Sequence, residues 1–180
     1  MLVTQHKVGN CRVYDLSNRI NHRLIQPSLS KISYPYKNLL RVRYEEANRL
    51  HYIPQTHNYP EFKVSDTGSE EALYRSILYF SEIHSVPKDT VVWVEAVHIN
   101  PHQYYEKEWY RDNTTKKAVY CIQKENIDYS KYEIKMNNET FKWDLRPGEM
   151  MVFDSENILQ NHRVEFKDGT GFKTILVISC

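Results

Sequence analysis

The sequence predicts a mainly β domain of α+β type, with a jelly-roll-like core in its second half and helical and loop segments in its first. Three observations carry that reading. From residue 90 onward, about eight short apolar or alternating runs follow one another with turn residues between them, the spacing of an antiparallel sandwich or barrel. Residues 68–84 combine helical periodicity with helix caps. The 180-residue length suits one domain with a sizeable core, in which residues 1–89 supply strands, a basic loop region and a supporting helix, and residues 90–180 supply the strand-rich core.

Residues 1–16 alternate loosely through Val3, Val8, Val13 and Leu16, and Gly9-Asn10 is a hairpin signal, so one or two short strands open the chain. Residues 18–49 are poor in apolar side chains; Arg19, Arg23, Lys31, Lys37, Arg41, Arg43 and Arg49 face only Glu45 and Glu46. This basic stretch (19–49) predicts a solvated surface or a lid over a small-molecule or peptide substrate. Contact with nucleic-acid phosphates is the weaker alternative, because no nucleic-acid module is recognisable. Residues 51–60, with Pro54 and Pro60, read as an irregular loop.

The helix starts at a capping box, Thr67 to Glu70, with Glu70 and Glu71 where the helix dipole favours acids. Leu73, Ile77 and Phe80 form one face, joined by Ala72, Leu78 and Ile83, and Pro87 ends it. Residues 90–97 are a near-continuous apolar run, as in a buried strand, and end in a polar segment holding His98 and His102. Residues 104–112 are extended and aromatic, and 117–122 are a further strand. Residues 132–136 and 140–145 flank Asn137-Asn138, a hairpin signal. Pro147-Gly148 launches an apolar strand at 150–153, His162 begins another extended run, and Asp168-Gly169 turns the chain into a β-branched strand at 172–178.

A net charge of +1 gives no global attraction to nucleic acid or acidic membrane, and 41% hydrophobic with 26% charged residues is ordinary for a globular protein. Cys11, Cys121 and Cys180 are odd in number and far apart, which predicts reduced thiols. No apolar run reaches membrane-spanning length and the first residues lack a signal-peptide core, so a cytoplasmic protein with no membrane partner is expected. Phosphate-loop, dinucleotide-glycine, zinc-cysteine and Gly-x-Ser-x-Gly patterns are absent.

The candidate chemistry sits in the closing strands. Asp112 ends one strand, His162 enters another, and Lys173 lies on the last. A carboxylate, an imidazole and a cation in that order can hold a metal and an acidic co-substrate. By two-residue alternation Lys173 shares a face with Ile175 and Val177, and points inward if those two are core. An inward ammonium implies a counter-charge from a carboxylate side chain or an acidic ligand. Arg163 falls on the opposite face. Cys121 reads as a buried strand thiol, and Glu106 with Glu108 as a solvated strand face.

These pieces are His98 at a polar strand end, Asp112, Pro147-Gly148, His162-Arg163-Val164 and Gly171-Phe172-Lys173. With them, residues 91–180 resemble the double-stranded β-helix core of the Fe(II)/2-oxoglutarate-dependent dioxygenases. The likeness is to the branch that includes bacterial free amino-acid hydroxylases and prolyl-hydroxylase-like members. It implies a cupin-like double-stranded β-helix, Fe(II) as metal, 2-oxoglutarate as co-substrate, and hydroxylation of a small molecule or of a protein or peptide side chain. Carried over by position, Asp112 and His162 would bind the metal and form the catalytic centre. Lys173 would hold the 2-oxoglutarate carboxylate as a point charge, with His98 also placed at the cofactor. One position departs from the pattern: where the His-x-Asp pair should begin, this chain has Tyr110. Three accounts follow. Tyr110 binds iron as a tyrosinate, or His102 or His98 supplies the missing nitrogen, or the site is altered and the fold serves as a binding module for a protein, an acidic small molecule or nucleic acid.

Overall fold

The computed structural model describes residues 4–8, 10–25, 27–28, 36–44, 50–53, 63–64, 67–87, 89–99, 105–111, 113–136, 138–156, 158–166 and 170–180. The chain opens with β1 (Thr4–Val8) and β2 (Cys11–Asp15), the expected antiparallel hairpin. A 3-10 turn at His22–Leu24 follows, its first N–H groups met by the side chain of Asn21, which accepts from the Arg23 amide. Next come β3 (Pro27–Ser28), β4 (Tyr36–Tyr44), β5 (Leu50–Tyr52) and β6 (Lys63–Val64); β3 pairs with β6, and β4 with β5.

The strand β4 falls within the basic stretch 19–49, where no strand was read from the sequence. Its sequence sets Leu40 and Val42 among Lys37, Arg41 and Arg43, which hides the alternation behind charge. What extends it is pairing: nine residues add antiparallel to the edge of a long buried strand, satisfying backbone groups that would otherwise stand unpaired there. The irregular loop read at 51–60 is corrected at its start, where residues 51–52 belong to β5; residues 54–60 and the Asp168-Gly169 turn lie outside the described residues.

Helix α1 (Thr67–Ile83) appears where its caps and periodicity place it, with Ala72, Leu73, Ile77 and Phe80 buried. It ends in a Schellman-type reversal: Ser85 is left-handed (φ 52°), Val86 N–H bonds Ser81 O at 2.8 Å, and Pro87 follows. Lys116 Nζ donates to the His84 carbonyl at 2.5 Å and meets another of the helix's terminal acceptors. No helix among the described residues is long and apolar enough to cross a membrane.

Among the described residues eight further strands follow, in line with the roughly eight read from the sequence. They are β7 (Val91–Ile99), β8 (Tyr105–Tyr110), β9 (Lys116–Glu125), β10 (Ile127–Met136), β11 (Glu139–Trp143), β12 (Glu149–Asp154), β13 (Leu159–Phe166) and β14 (Phe172–Ser179). They divide between two sheets. The larger runs β1-β2-β12-β9-β14-β7-β4-β5 and the smaller β11-β10-β13-β8. Successive strands cross from one sheet to the other except at the β10–β11 hairpin, which is the jelly-roll winding of a double-stranded β-helix. The two N-terminal hairpins extend the larger sheet at its two edges.

Alternation along the larger sheet separates two cores. Ala96, Ala118, Tyr120, Met150, Val152, Leu176 and Ile178 pack against Leu73, Ile77 and Phe80 of α1. Val97, Ile99, Val119, Cys121, Met151, Phe153 and Ile175 face the smaller sheet and meet Tyr132, Ile134, Phe141 and Val164. At the head of β12 Gly148 takes φ 91°, which Pro147-Gly148 anticipated, and a Cβ there would meet Ser17 Cβ and His22 Nδ1 at 3.1 Å. Cys11 and Cys121 are buried thiols without a disulfide; burial pushes the Cys11 thiol up to about 12 and raises that of Cys121.

Candidate functional site

Polar side chains gather in the space between the two sheets. On β14, alternation turns Lys173 inward with Ile175, as the sequence predicted, and leaves it 1% exposed. On β13 the same rule turns Gln160 and His162 inward, both buried. On β10, Ser130 and Tyr132 face them, with Tyr132 directly opposite His162 in the register. On β9, Lys117 enters on the side of Val119 and Cys121 and is 4% exposed.

These side chains form two hydrogen-bonded groups that meet at Tyr132. In the first, Lys173 Nζ donates to Ser130 Oγ and lies 3.0 Å from His162 Nε2. With the ammonium donating, Nε2 is the acceptor and the imidazole proton sits on Nδ1. In the second, Lys117 Nζ donates to Gln160 Oε1 at 2.6 Å and to Tyr110 OH at 3.1 Å, and it lies 5.1 Å from the centre of the Tyr110 ring. Tyr132 OH donates to the same Gln160 oxygen at 2.7 Å and lies 3.0 Å from Tyr110 OH. The Tyr132 and His162 rings are 5.3 Å apart, which joins the groups.

Burial is the chief cause that holds the Lys173 ammonium down to about 8, against an ordinary 10.5; Cys121 and Asp144 pull the other way, while Lys124 adds to the lowering. Lys173 makes no ion pair among the described residues. Its described partners are the Ser130 hydroxyl and the His162 imidazole, with no carboxylate among them.

Of the residues singled out from the sequence, the structure brings His162 and Lys173 into contact and sets Tyr110 in the same interior through Tyr132 and Gln160. Asp112 and His102 lie outside the described residues. His98 goes elsewhere. It alternates with Val97 and Ile99, so it shares the α1-side face with Ala96, where Nδ1 pairs with Thr174 Oγ1 at 2.8 Å and the ring lies against Phe172. Arg163 takes the outer face beside Glu165, as alternation required. Lys117, Ser130, Tyr132 and Gln160 were not singled out. Gln160 was the most accessible of them, two residues before His162 on one strand and therefore on its face. Lys117 follows Lys116 at the head of an apolar run, a pattern that reads as a strand's wet end.

The described residues do not fit a divalent iron ion. Among them no three His, Cys, Asp or Glu side chains converge. The His162 nitrogen that faces the interior is already opposite an ammonium, and the Tyr110 oxygen receives a hydrogen bond from a second one. Two lysine ammonium groups beside the available donors repel a dication and attract an organic anion.

Neither a protein-family model nor a curated protein sequence matches this chain. Solved structures do share its architecture. IDO from Bacillus thuringiensis superposes with a TM-score of 0.65 at 12% identity, over 84% of this chain and 79% of that one. A bsmA homolog from Methylobium petroleophilum PM1 gives 0.62 at 10% identity, over 92% and 80%. TqaL, an Fe(II)/α-ketoglutarate-dependent dioxygenase, gives 0.57 at 9% identity, over 80% and 65%. The mainly β architecture, the jelly-roll winding and these superpositions together make this chain a double-stranded β-helix of the kind on which 2-oxoglutarate/Fe(II) oxygenases are built.

Proposed function

We propose that this protein binds a carboxylate-bearing small molecule inside the double-stranded β-helix, with Lys173 as the counter-charge and without iron held by the described donors. The supporting observation is Lys173 itself, an ammonium buried to 1% exposure whose hydrogen-bond partners among the described residues, Ser130 and His162, include no carboxylate. A carboxylate entering there replaces a neutral acceptor with a charged one and relieves the desolvation that depresses the lysine. Ser130 and His162 position the ammonium, and the imidazole, accepting at Nε2, turns it toward the ligand.

A second reading is favoured by one observation: β13 and β14 deliver His162 and Lys173 to one interior, in the order that the dioxygenase resemblance assigns to metal and co-substrate ligands. Under it the chain is a hydroxylase in which Asp112 and His162, with Tyr110 or His102, hold Fe(II), and 2-oxoglutarate lies at Lys173.

Calorimetric titration with small carboxylates in the presence of a chelator tests the first reading, which expects saturable binding that is lost when Lys173 is replaced. Anaerobic addition of Fe(II) and 2-oxoglutarate distinguishes the second. A visible charge-transfer band that needs both components would replace the proposal with the hydroxylase reading.

A further inference from the structure

The opposite face of the larger sheet carries a charged cleft at the end of α1. Arg12 on β2, Asp154 on β12 and Lys116 on β9 stand on three adjacent strands. Parity turns all three to the α1 side, with Tyr14, Val152 and Ala118, whereas Lys173 faces the other way. The helix ends at Ile83, and His84 just beyond it closes the cleft, whose volume is about 260 Å³. We infer that this cleft binds a protonated phosphate group, free or esterified, which accepts from Arg12 and Lys116 and donates its hydroxyl hydrogens to His84 and Asp154.

The His84 ring, only 8% exposed, fixes the pattern of donors and acceptors. Its Nε2 lies 3.2 Å from the Lys117 carbonyl oxygen, which can only accept, so the neutral ring keeps its proton there and presents a bare Nδ1 to the cleft. Asp154 Oδ1 faces that nitrogen at 3.7 Å, beyond hydrogen-bond length, while Asn10 Nδ2 approaches the other carboxylate oxygen at 3.5 Å. Two acceptors therefore confront each other with no hydrogen between them. Burial of the imidazole, aided by the charges of Lys116 and Arg12, keeps it below its ordinary range against the pull of the Lys117 carbonyl and Asp154, so the ring does not readily supply that hydrogen itself. A metal ion is a poor bridge here, because Arg12 and Lys116 bring positive charge of their own. Arg12 makes no hydrogen bond or ion pair among the described residues, and Lys116 spends one N–H on the His84 carbonyl at 2.5 Å and keeps two. Two cations and one carboxylate leave a single net positive charge. Dihydrogen phosphate is the inverse of this set, with one negative charge over two oxygens and two hydroxyls to donate. Sulfate has the same shape and no hydrogen to give, so it would leave both acceptors unmet.

The test titrates the whole chain with inorganic phosphate and with sulfate by calorimetry, at matched ionic strength and mildly acidic pH, where phosphate is mostly the monoanion. Phosphate is expected to bind saturably and sulfate about tenfold more weakly or worse, the cost of one acceptor left without a hydrogen. Arg12→Met should weaken phosphate about tenfold, and Asp154→Asn, whose amide can donate to sulfate, should bring the two ions closer together. Lys173→Met, on the other face of the sheet, should leave phosphate affinity within about twofold. Methyl phosphate separates the sources: affinity within about threefold of inorganic phosphate assigns the cleft to a phosphomonoester, and weaker binding assigns it to free phosphate. Equal wild-type affinity for phosphate and sulfate, or no phosphate binding, would overturn the inference and needs no variant to fold. Phosphate binding that is lost with Lys173 and kept without Arg12 would overturn it too.

Discussion

Replacing Lys173 with Met should make the ligand-free protein more stable near neutral pH and abolish carboxylate binding. Burial lowers the lysine from 10.5 to about 8, a difference worth about 3 kcal/mol against the folded state at low and neutral pH. Met keeps the aliphatic stem and removes the charge, but Ser130 and His162 each lose a partner, at about 1 kcal/mol apiece. The net gain is about 1 kcal/mol. The sign of the pH dependence follows from the direction of the shift. Below pH 8 both folded and unfolded chains carry the proton and the penalty is complete. Between 8 and 10.5 the folded lysine releases its proton while the unfolded one keeps it, so wild-type stability rises with pH. Above 10.5 the rise ends. Wild type and variant should therefore exchange order: the variant leads by about 1 kcal/mol at pH 7 and trails by about 2 kcal/mol once the lysine is neutral and its hydrogen bonds remain. Cys11, held up to about 12 by burial, works in the opposite direction above pH 9, so the informative quantity is the difference between the two proteins at each pH. Urea unfolding from pH 7 to 10.5 measures it. A pH-independent difference, or a variant that is the less stable at pH 7, would refute the buried uncompensated ammonium.

Three further substitutions probe the frame. Gly148→Ala places a Cβ on a residue at φ 91° and within 3.1 Å of Ser17 and His22, and should lower the unfolding free energy by about 1–3 kcal/mol in thermal melts. Phe80→Ala empties a fully buried position between α1 and the larger sheet and should remove about 3–5 kcal/mol, read from the urea midpoint. His98→Ala loses the contact with Thr174 on the α1 face, costs about 1 kcal/mol, and should leave carboxylate affinity within about twofold; a larger loss would move the ligand to the other side of the sheet.

The strands that could be read from the sequence were those whose own side chains are buried. β7, β12 and β14 are apolar runs, and the caps of α1 are local chemistry, so both kinds of element declare themselves. β4 did not, because its formation depends on a partner strand distant in sequence, Tyr36 pairing with His98 and Arg43 with Val91, rather than on its own hydrophobicity. The site divides in the same way. Lys173 could be placed by counting along β14 from Ile175, and Gln160 could have been placed by counting back from His162. Lys117 and Ser130 could not, because nothing in their neighbourhoods marks them as inward until the two sheets are stacked. His98 shows the limit of motif position: it stands where a polar strand end was expected, and parity sends it to the wrong face.

The larger sheet carries its two duties on alternate residues. Along β14, Lys173 and Ile175 look into the barrel while Thr174, Leu176 and Ile178 look toward α1; along β9, Lys117, Val119 and Cys121 take the first direction and Ala118, Tyr120 and Ile122 the second. Substitutions at odd-numbered positions of these segments therefore change the side chains between the two sheets and leave the layer that anchors the helix in place.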